Sequence, residues 1–125
     1  MRRDMDLVRD VLIQLADSAG PLDASAFVDE THPRELVAYH FQIMDEGGLI
    51  VASILASASL PYTVAQALRL TWAGNEFLDS VRSPEVWRRA KLTVAKATGA
   101  ASLAVLQGIA EKIGESLAVG ALQIP

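Results

Sequence analysis

The chain has 125 residues, 51% hydrophobic and 21% charged, which suits one domain, or one small domain with an appendage, able to bury a core unaided. It has no cysteine, so disulfides and thiolate chemistry are excluded and a reducing cytoplasm is the expected setting. A net charge of −4 excludes any global attraction to nucleic acid or to an acidic membrane.

Near the start, Arg2 and Arg3 are followed by Asp6, Arg9 and Asp10 rather than by an apolar run, which argues against a secretory signal. Asp4 or Asp6 is suited to cap a first helix, because a carboxylate accepts the unpaired amides at a helix N-terminus. Val8, Val11, Leu12 and Leu15 then recur at helical spacing, and Gly20-Pro21 ends the helix. Residues 22–30 read two ways, as a short helix capped by Asp23 or as an extended piece pairing with later strands. The next helix starts at Thr31 or His32 as cap, with Pro33 in its first turn. Val37, His40, Phe41 and Met44 form its apolar stripe, and Gly47-Gly48 ends it.

Residues 49–55 favour a strand by their β-branched content, residues 56–65 a loop around Pro61, and residues 67–70 a second strand. No residue from Gly47 to Leu68 is charged. A bilayer crossing needs about 20 apolar residues, but Ser53, Ser57, Ser59, Pro61, Tyr62, Thr63 and Gln66 interrupt this stretch. Buried strand–loop–strand is therefore the expectation, with no membrane partner. Thr71 is a suitable cap for a helix over 72–81 with Phe77, Leu78 and Val81 inside. Ser83-Pro84-Glu85 starts another, carrying Val86, Trp87, Ala90 and Val94. A last helix over about residues 102–119 has Leu103, Leu106, Ala110, Ile113 and Leu117 on one stripe.

Helix, uncertain segment, helix, strand, loop, strand, helix is the order of a winged helix. The fold class expected is mainly α with a small β-wing: a winged helix-turn-helix-like domain over residues 1–82 and a C-terminal helical extension over 83–125. The run "MDEGGLIVA … LRLTWAGNEFL" resembles the ending of many winged-helix transcriptional regulators, where "GLI", a wing and "LTxxGxxFL" follow one another. Four blocks, "RRDMDLVRDVL", "YHFQIMDEGGLI", "LTWAGNEFLDSVR" and "VWRRAK", are together similar to a domain-of-unknown-function family of bacteria and their phages and prophages. That resemblance spans about residues 2–96 and implies a winged-helix-like fold in a bacterial or phage protein of unassigned role. It brings no catalytic residue, and residues 51–68 and the tail are more apolar than its pattern.

Two partner classes follow. For double-stranded DNA, the helix over 33–46 would present Arg34, Glu35, Ala38, Gln42 and Asp45, of which Arg34 and Gln42 suit base edges. Arg69 is the wing's single cation, a poor supply for phosphate neutralisation. The basic cluster lies further on: Arg82, Arg88, Arg89, Lys91 and Lys96 against one acid, Glu85. It reads as a phosphate track, as a contact for an acidic partner, or as an ordinary solvated face whose cations favour a helix C-terminus. For protein, the uncharged wing and the tail stripe of Leu103, Leu106, Ala110, Ile113 and Leu117 point to self-association, with a two-fold dimer as the default.

His40, on an apolar stripe, is expected as a packed, hydrogen-bonded core residue and His32 as a cap or surface residue. Two histidines without HxxxH or HxxE spacing offer little to zinc. Trp72 and Trp87 are candidate stacking platforms, but core anchoring is the preferred reading. There is no GxSxG, Walker A or dinucleotide-binding pattern. The acid pairs Glu76/Asp79 and Asp45/Glu46 read as surface charge. No enzyme activity, metal or cofactor is expected.

Overall fold

A computed structural model describes residues 1–97 and 103–122, with side chains at 1–94 and 103–118. Helices α1 (Met5–Asp17), α2 (Arg34–Glu46), α3 (Trp72–Val81), α4 (Pro84–Ala97) and α5 (Leu103–Leu122) dominate it. Three short strands, β1 (Leu22–Asp23), β2 (Ile50–Leu55) and β3 (Val64–Leu70), form an antiparallel sheet in the order β1-β3-β2. The protein is thus mainly α with a small β-wing, the β2–β3 hairpin. The chain divides into two compact units, Met1–Glu76 and Phe77–Pro125. Among the described residues no helix is long and apolar enough to cross a membrane.

In the first unit, Asp4 caps α1: its Oδ1 accepts the amides of Asp6 at 3.0 Å and Leu7 at 3.3 Å. Leu7, Val8, Val11, Leu12 and Leu15 are buried, as their helical spacing requires. Both readings of the 22–30 segment are realised in succession. Leu22 and Asp23 pair with Ala67 and Gln66, and then the Asp23 carboxylate accepts the Ser25 amide at 2.9 Å to start a 3-10 turn over Ala24–Phe27. Phe27 meets Phe41 of α2 edge-on, with ring centroids 5.8 Å apart, and Val37, Ala38, His40 and Met44 complete the buried face of α2.

The start of α2 departs from expectation. Pro33 is the N-cap, with no side-chain cap bond, and its carbonyl accepts the amides of Leu36 and Val37 at 3.0 and 3.1 Å. Thr31 and His32 instead belong to a separate turn closed on Asp29, whose Oδ1 accepts both their amides.

The wing carries a bulge. Val51 pairs with Arg69 but Ala52 pairs with Ala67, which leaves Leu68 without a partner across the ladder. Strict alternation is broken there, so Ala65, Ala67 and Leu70 are all buried while Arg69 is exposed. β3 also begins at Val64, earlier than the apolar run at 67–70 predicts, because Leu55 and Ile54 hold Val64 and Ala65 in register.

Thr71 locks the wing to α3. Its amide donates to the Leu49 carbonyl at 3.0 Å, and its hydroxyl faces the Gly48 and Leu49 carbonyls while accepting the Gly74 amide at 3.0 Å. Gly48, at φ +79°, supplies the left-handed turn that delivers these carbonyls. Thr71→Ala removes a cap and leaves the Leu49 carbonyl with fewer donors, so chemical denaturation should show a loss of about 1–2 kcal/mol, with Thr71→Ser restoring most of it.

In the second unit, Ser83 caps α4 through Val86, and α5 runs along α4. Phe77, Leu78, Val81, Val86, Trp87, Ala90, Val94, Leu106 and Ala110 are its buried side chains.

Candidate functional site

The exposed side of α2 is where a duplex-reading fold would place its base contacts, so its chemistry decides what this unit can bind. Arg34 and Gln42 do lie on one side of α2, but both are engaged by one residue of the hairpin loop. The Arg34 guanidinium donates to the Tyr62 carbonyl, and the Tyr62 hydroxyl donates to Gln42 Oε1 at 3.0 Å. Burial pushes the Tyr62 phenol up, with Tyr39, Glu35 and Glu46 adding to the effect, so the hydroxyl stays a donor at neutral pH. Ala38, placed outward by the sequence reading, is fully buried. Asp45 accepts the Ala52 amide at 2.8 Å, tying the wing to the end of α2. Glu35, Asp45 and Glu46 remain exposed.

Arg69 is exposed on β3 and donates to the neighbouring Leu70 carbonyl at 3.3 Å. The first unit carries eleven carboxylates and five arginines, a net −6, so the field around α2 opposes a polyanion. At the far end of the wing a turn closed between Ser57 and Leu60 leaves Leu55 60% and Leu60 59% exposed. An open hollow of about 300 Å³ lies where Leu15, Ala19, Leu68, Arg69, Leu70 and Asn75 meet. Asn75 in its lining donates its side-chain amide to the Thr71 carbonyl at 3.0 Å.

The cations of residues 82–96 lie in the other unit. Arg82, Arg88 and Arg89 are exposed; Arg89 pairs with Glu85 at 2.7 Å, and Lys91 sits over the Trp87 ring at 5.5 Å. The Lys96 side chain is outside the described ones. Along α5, Leu106 and Ala110 are buried, whereas Leu103, Ile113 and Leu117 are half-buried; Val105, off that stripe, is 48% exposed. Trp87 is buried, as core anchoring requires, but Trp72 is 82% exposed, which overturns that reading for it. The reason is local: Trp72 is the first residue of α3, and the inward positions there fall to Gly74, Phe77 and Leu78.

The two histidines meet at Asp4 with their pKa values shifted in opposite directions. His40 is fully buried; its Nε2 accepts the Asp4 amide at 2.8 Å and its Nδ1 donates to the Leu36 carbonyl at 2.8 Å. That pattern requires the neutral ring with hydrogen on Nδ1, and burial lowers its pKa accordingly. His32 places Nε2 at 3.1 Å from Asp4 Oδ2 and Nδ1 at 2.9 Å from Asp29 Oδ1. The hydrogen bonds with Asp29 and then Asp4 raise its pKa, while His32 draws Asp29 down to about 2. In Asp4 partial burial pulls upward, but the His32 bond and the amides of Leu7 and Asp6 outweigh it and leave the carboxyl lowered. The His32 ring lies between the two carboxylates, and among the described residues no group of three or more acids or histidines is placed to hold a metal ion.

The sequence marks Asp4 only as a possible helix cap and gives no sign that Tyr62 or Asp29 makes these contacts. Only the neighbouring Pro61 marks Tyr62 as a turn residue, and its partners are 28 and 20 positions away.

A mainly α chain with a small wing and an engaged α2 defines a structural class. The model of the family described as "Hypothetical protein (DUF2513)" matches residues 2–101, and the chain belongs to that family. An uncharacterized protein of Haemophilus influenzae (strain ATCC 51907 / DSM 11121 / KW20 / Rd) is 32% identical over 116 residues, which cover 90% of this chain and 95% of that protein. No solved structure matches the chain.

Proposed function

We propose that the protein is a non-catalytic, winged-helix-type assembly module that self-associates through its uncharged wing, and that it does not read DNA through α2. The order of α1, β1, a 3-10 turn, α2, β2 and β3, with β3 central in the sheet, supports the winged-helix reading. The carrying observation is the wing itself. It has no charge from residue 47 to 68, exposes Leu55 and Leu60 at its tip, and turns Tyr62 back onto Arg34 and Gln42. A wing built for phosphates needs cations at that tip; an apolar tip favours contact with another protein surface, for which a second copy is the simplest candidate. The structural use of both histidines supports a non-catalytic role. A cytoplasmic setting and a role in a bacterial prophage belong to the same proposal, on the resemblance noted above.

The test is sedimentation of the native chain and of a Leu55→Asp, Leu60→Asp variant. Covering two leucines contributes about 1.5–3 kcal/mol each, so the variant should dissociate the assembly more than about tenfold more readily. A native chain that stays monomeric across the concentration range, or a variant that assembles equally well, overturns the proposal. A second reading, phosphate contact through the start of α4 and the residues just before it, is favoured by the exposed Arg82 and Arg88. It predicts salt-dependent anisotropy with any duplex, lost in an Arg82→Ala, Arg88→Ala variant and retained when Arg34 and Gln42 are changed.

A further inference from the structure

A neutral imidazole has one N–H and one lone pair, so it satisfies one carboxylate and repels another placed at its second nitrogen. His32 has a carboxylate oxygen at each ring nitrogen, 3.1 Å at Nε2 and 2.9 Å at Nδ1, with the Thr31 hydroxyl also 3.1 Å from Nδ1, and a ring with two N–H groups satisfies both carboxylates. The two carboxylates belong to different parts of the chain. Asp29 shares its turn with His32 and already accepts the amides of Thr31 and His32; Asp4 comes from the start of α1.

We propose that Asp4, Asp29 and His32 form a proton-operated clasp that ties the cap of α1 to the turn preceding α2. With two ring protons the clasp is closed. When one proton leaves, the remaining hydrogen stays on Nδ1 toward Asp29, held by the local turn, and the Nε2 lone pair then faces Asp4 Oδ2. The arm to α1 opens, and what it opens is the residue that caps α1 through Asp6 and Leu7 and meets His40 through its amide. The titratable groups facing the ring are Asp29 from its own turn, Asp4 from α1 and His40 from α2. The two acids favour the charged ring. His40 stays neutral, because its Nε2 is already occupied as an acceptor, and so does not compete for the proton.

The direction in pH follows. The folded pKa of His32 lies above the ordinary 6.5, so the clasp contributes fully below 6.5 and is lost as pH rises through the higher folded value. His40 runs the other way. Its folded pKa lies below 6.5, so its contribution is present above 6.5 and is lost as pH falls through that value toward the folded one. The clasp therefore works on the alkaline side and the buried ring on the acid side of one aspartate.

Nitrogen-detected NMR of the full chain from about pH 5 to about pH 9 tests it. The His32 ring should titrate above 6.5, and the Asp6 and Leu7 amide signals should move with the same midpoint. Asp29→Asn, a change at an exposed residue, should bring both midpoints down together. His32→Gln should abolish that step in the amides while His40 keeps its hydrogen on Nδ1. A His32 midpoint at or below 6.5 overturns the proposal. So does a step in the Asp6 and Leu7 amides that persists in His32→Gln.

Discussion

Replacing Gly74 with alanine is expected to lower the stability of the chain by about 3 kcal/mol or more, against the ordinary trend for a helix. In an exposed helix interior, glycine to alanine gains up to about 1 kcal/mol. Here a Cβ at position 74 would lie 2.0 Å from the Leu49 carbonyl oxygen and 3.0 Å from its carbon, both backbone atoms. Neither can swing aside, because the same carbonyl accepts from the Thr71 amide and hydroxyl. Overpacking in a core costs about 1–3 kcal/mol and more where backbone must move, so the steric term wins. Thermal unfolding followed by circular dichroism should fall by about 12–24 °C. Gly108→Ala provides the contrast: nothing lies within 4 Å of its Cβ position, and it should be neutral or stabilising. A Gly74→Ala chain melting within a few degrees of the native one would show that α3 does not press on Leu49 in this way.

The second large effect is expected at Phe41. It is fully buried, packs edge-on against Phe27, and is neighboured along α2 by Val37, Ala38 and Met44. Phe41→Ala deletes the ring at the junction of α2 and the 3-10 turn, at about 3–5 kcal/mol for the lost burial and the cavity left behind. Total stabilities of about 5–15 kcal/mol make that a large share. Urea denaturation should place Phe41→Leu between the native chain and Phe41→Ala. Equal midpoints for native and Phe41→Ala would mean that this ring is not the centre of the first core.

These effects fall where sequence and structure agree best. Asp4, Thr71 and Ser83 were readable as caps because a short polar side chain before an apolar stripe has one obvious use. The stripes of α1 and α2 were readable because burial imposes the helical period on them. Elsewhere the determining contacts are distant. Asp23 starts as a strand residue and ends as a cap, two roles that local propensity treats as alternatives. His32 was placed on the helix it precedes, since nothing in the local pattern shows that Asp4, 28 residues earlier, takes its second nitrogen. Arg34 and Gln42 have the residue types and spacing of a recognition helix; their occupation by Tyr62 depends on how the hairpin loop folds back, which neither periodicity nor composition encodes. The size of Trp72 suggests burial, but its position at the first residue of α3 puts it outside.

The extra residue in β3 has a further meaning for how this hairpin tolerates change. Leu68 divides the ladder into two phases: pairs 50↔70 and 51↔69 on one side, and pairs 52↔67 to 55↔64 on the other. The half-step between them is set beside the core, far from residues 56–63 that join the strands. Lengthening or shortening that tip leaves both phases intact, so Ala65, Ala67 and Leu70 keep facing inward. The hairpin end is therefore free to vary in length and chemistry, while deleting Leu68 would remove the half-step and merge the two phases into one regular ladder.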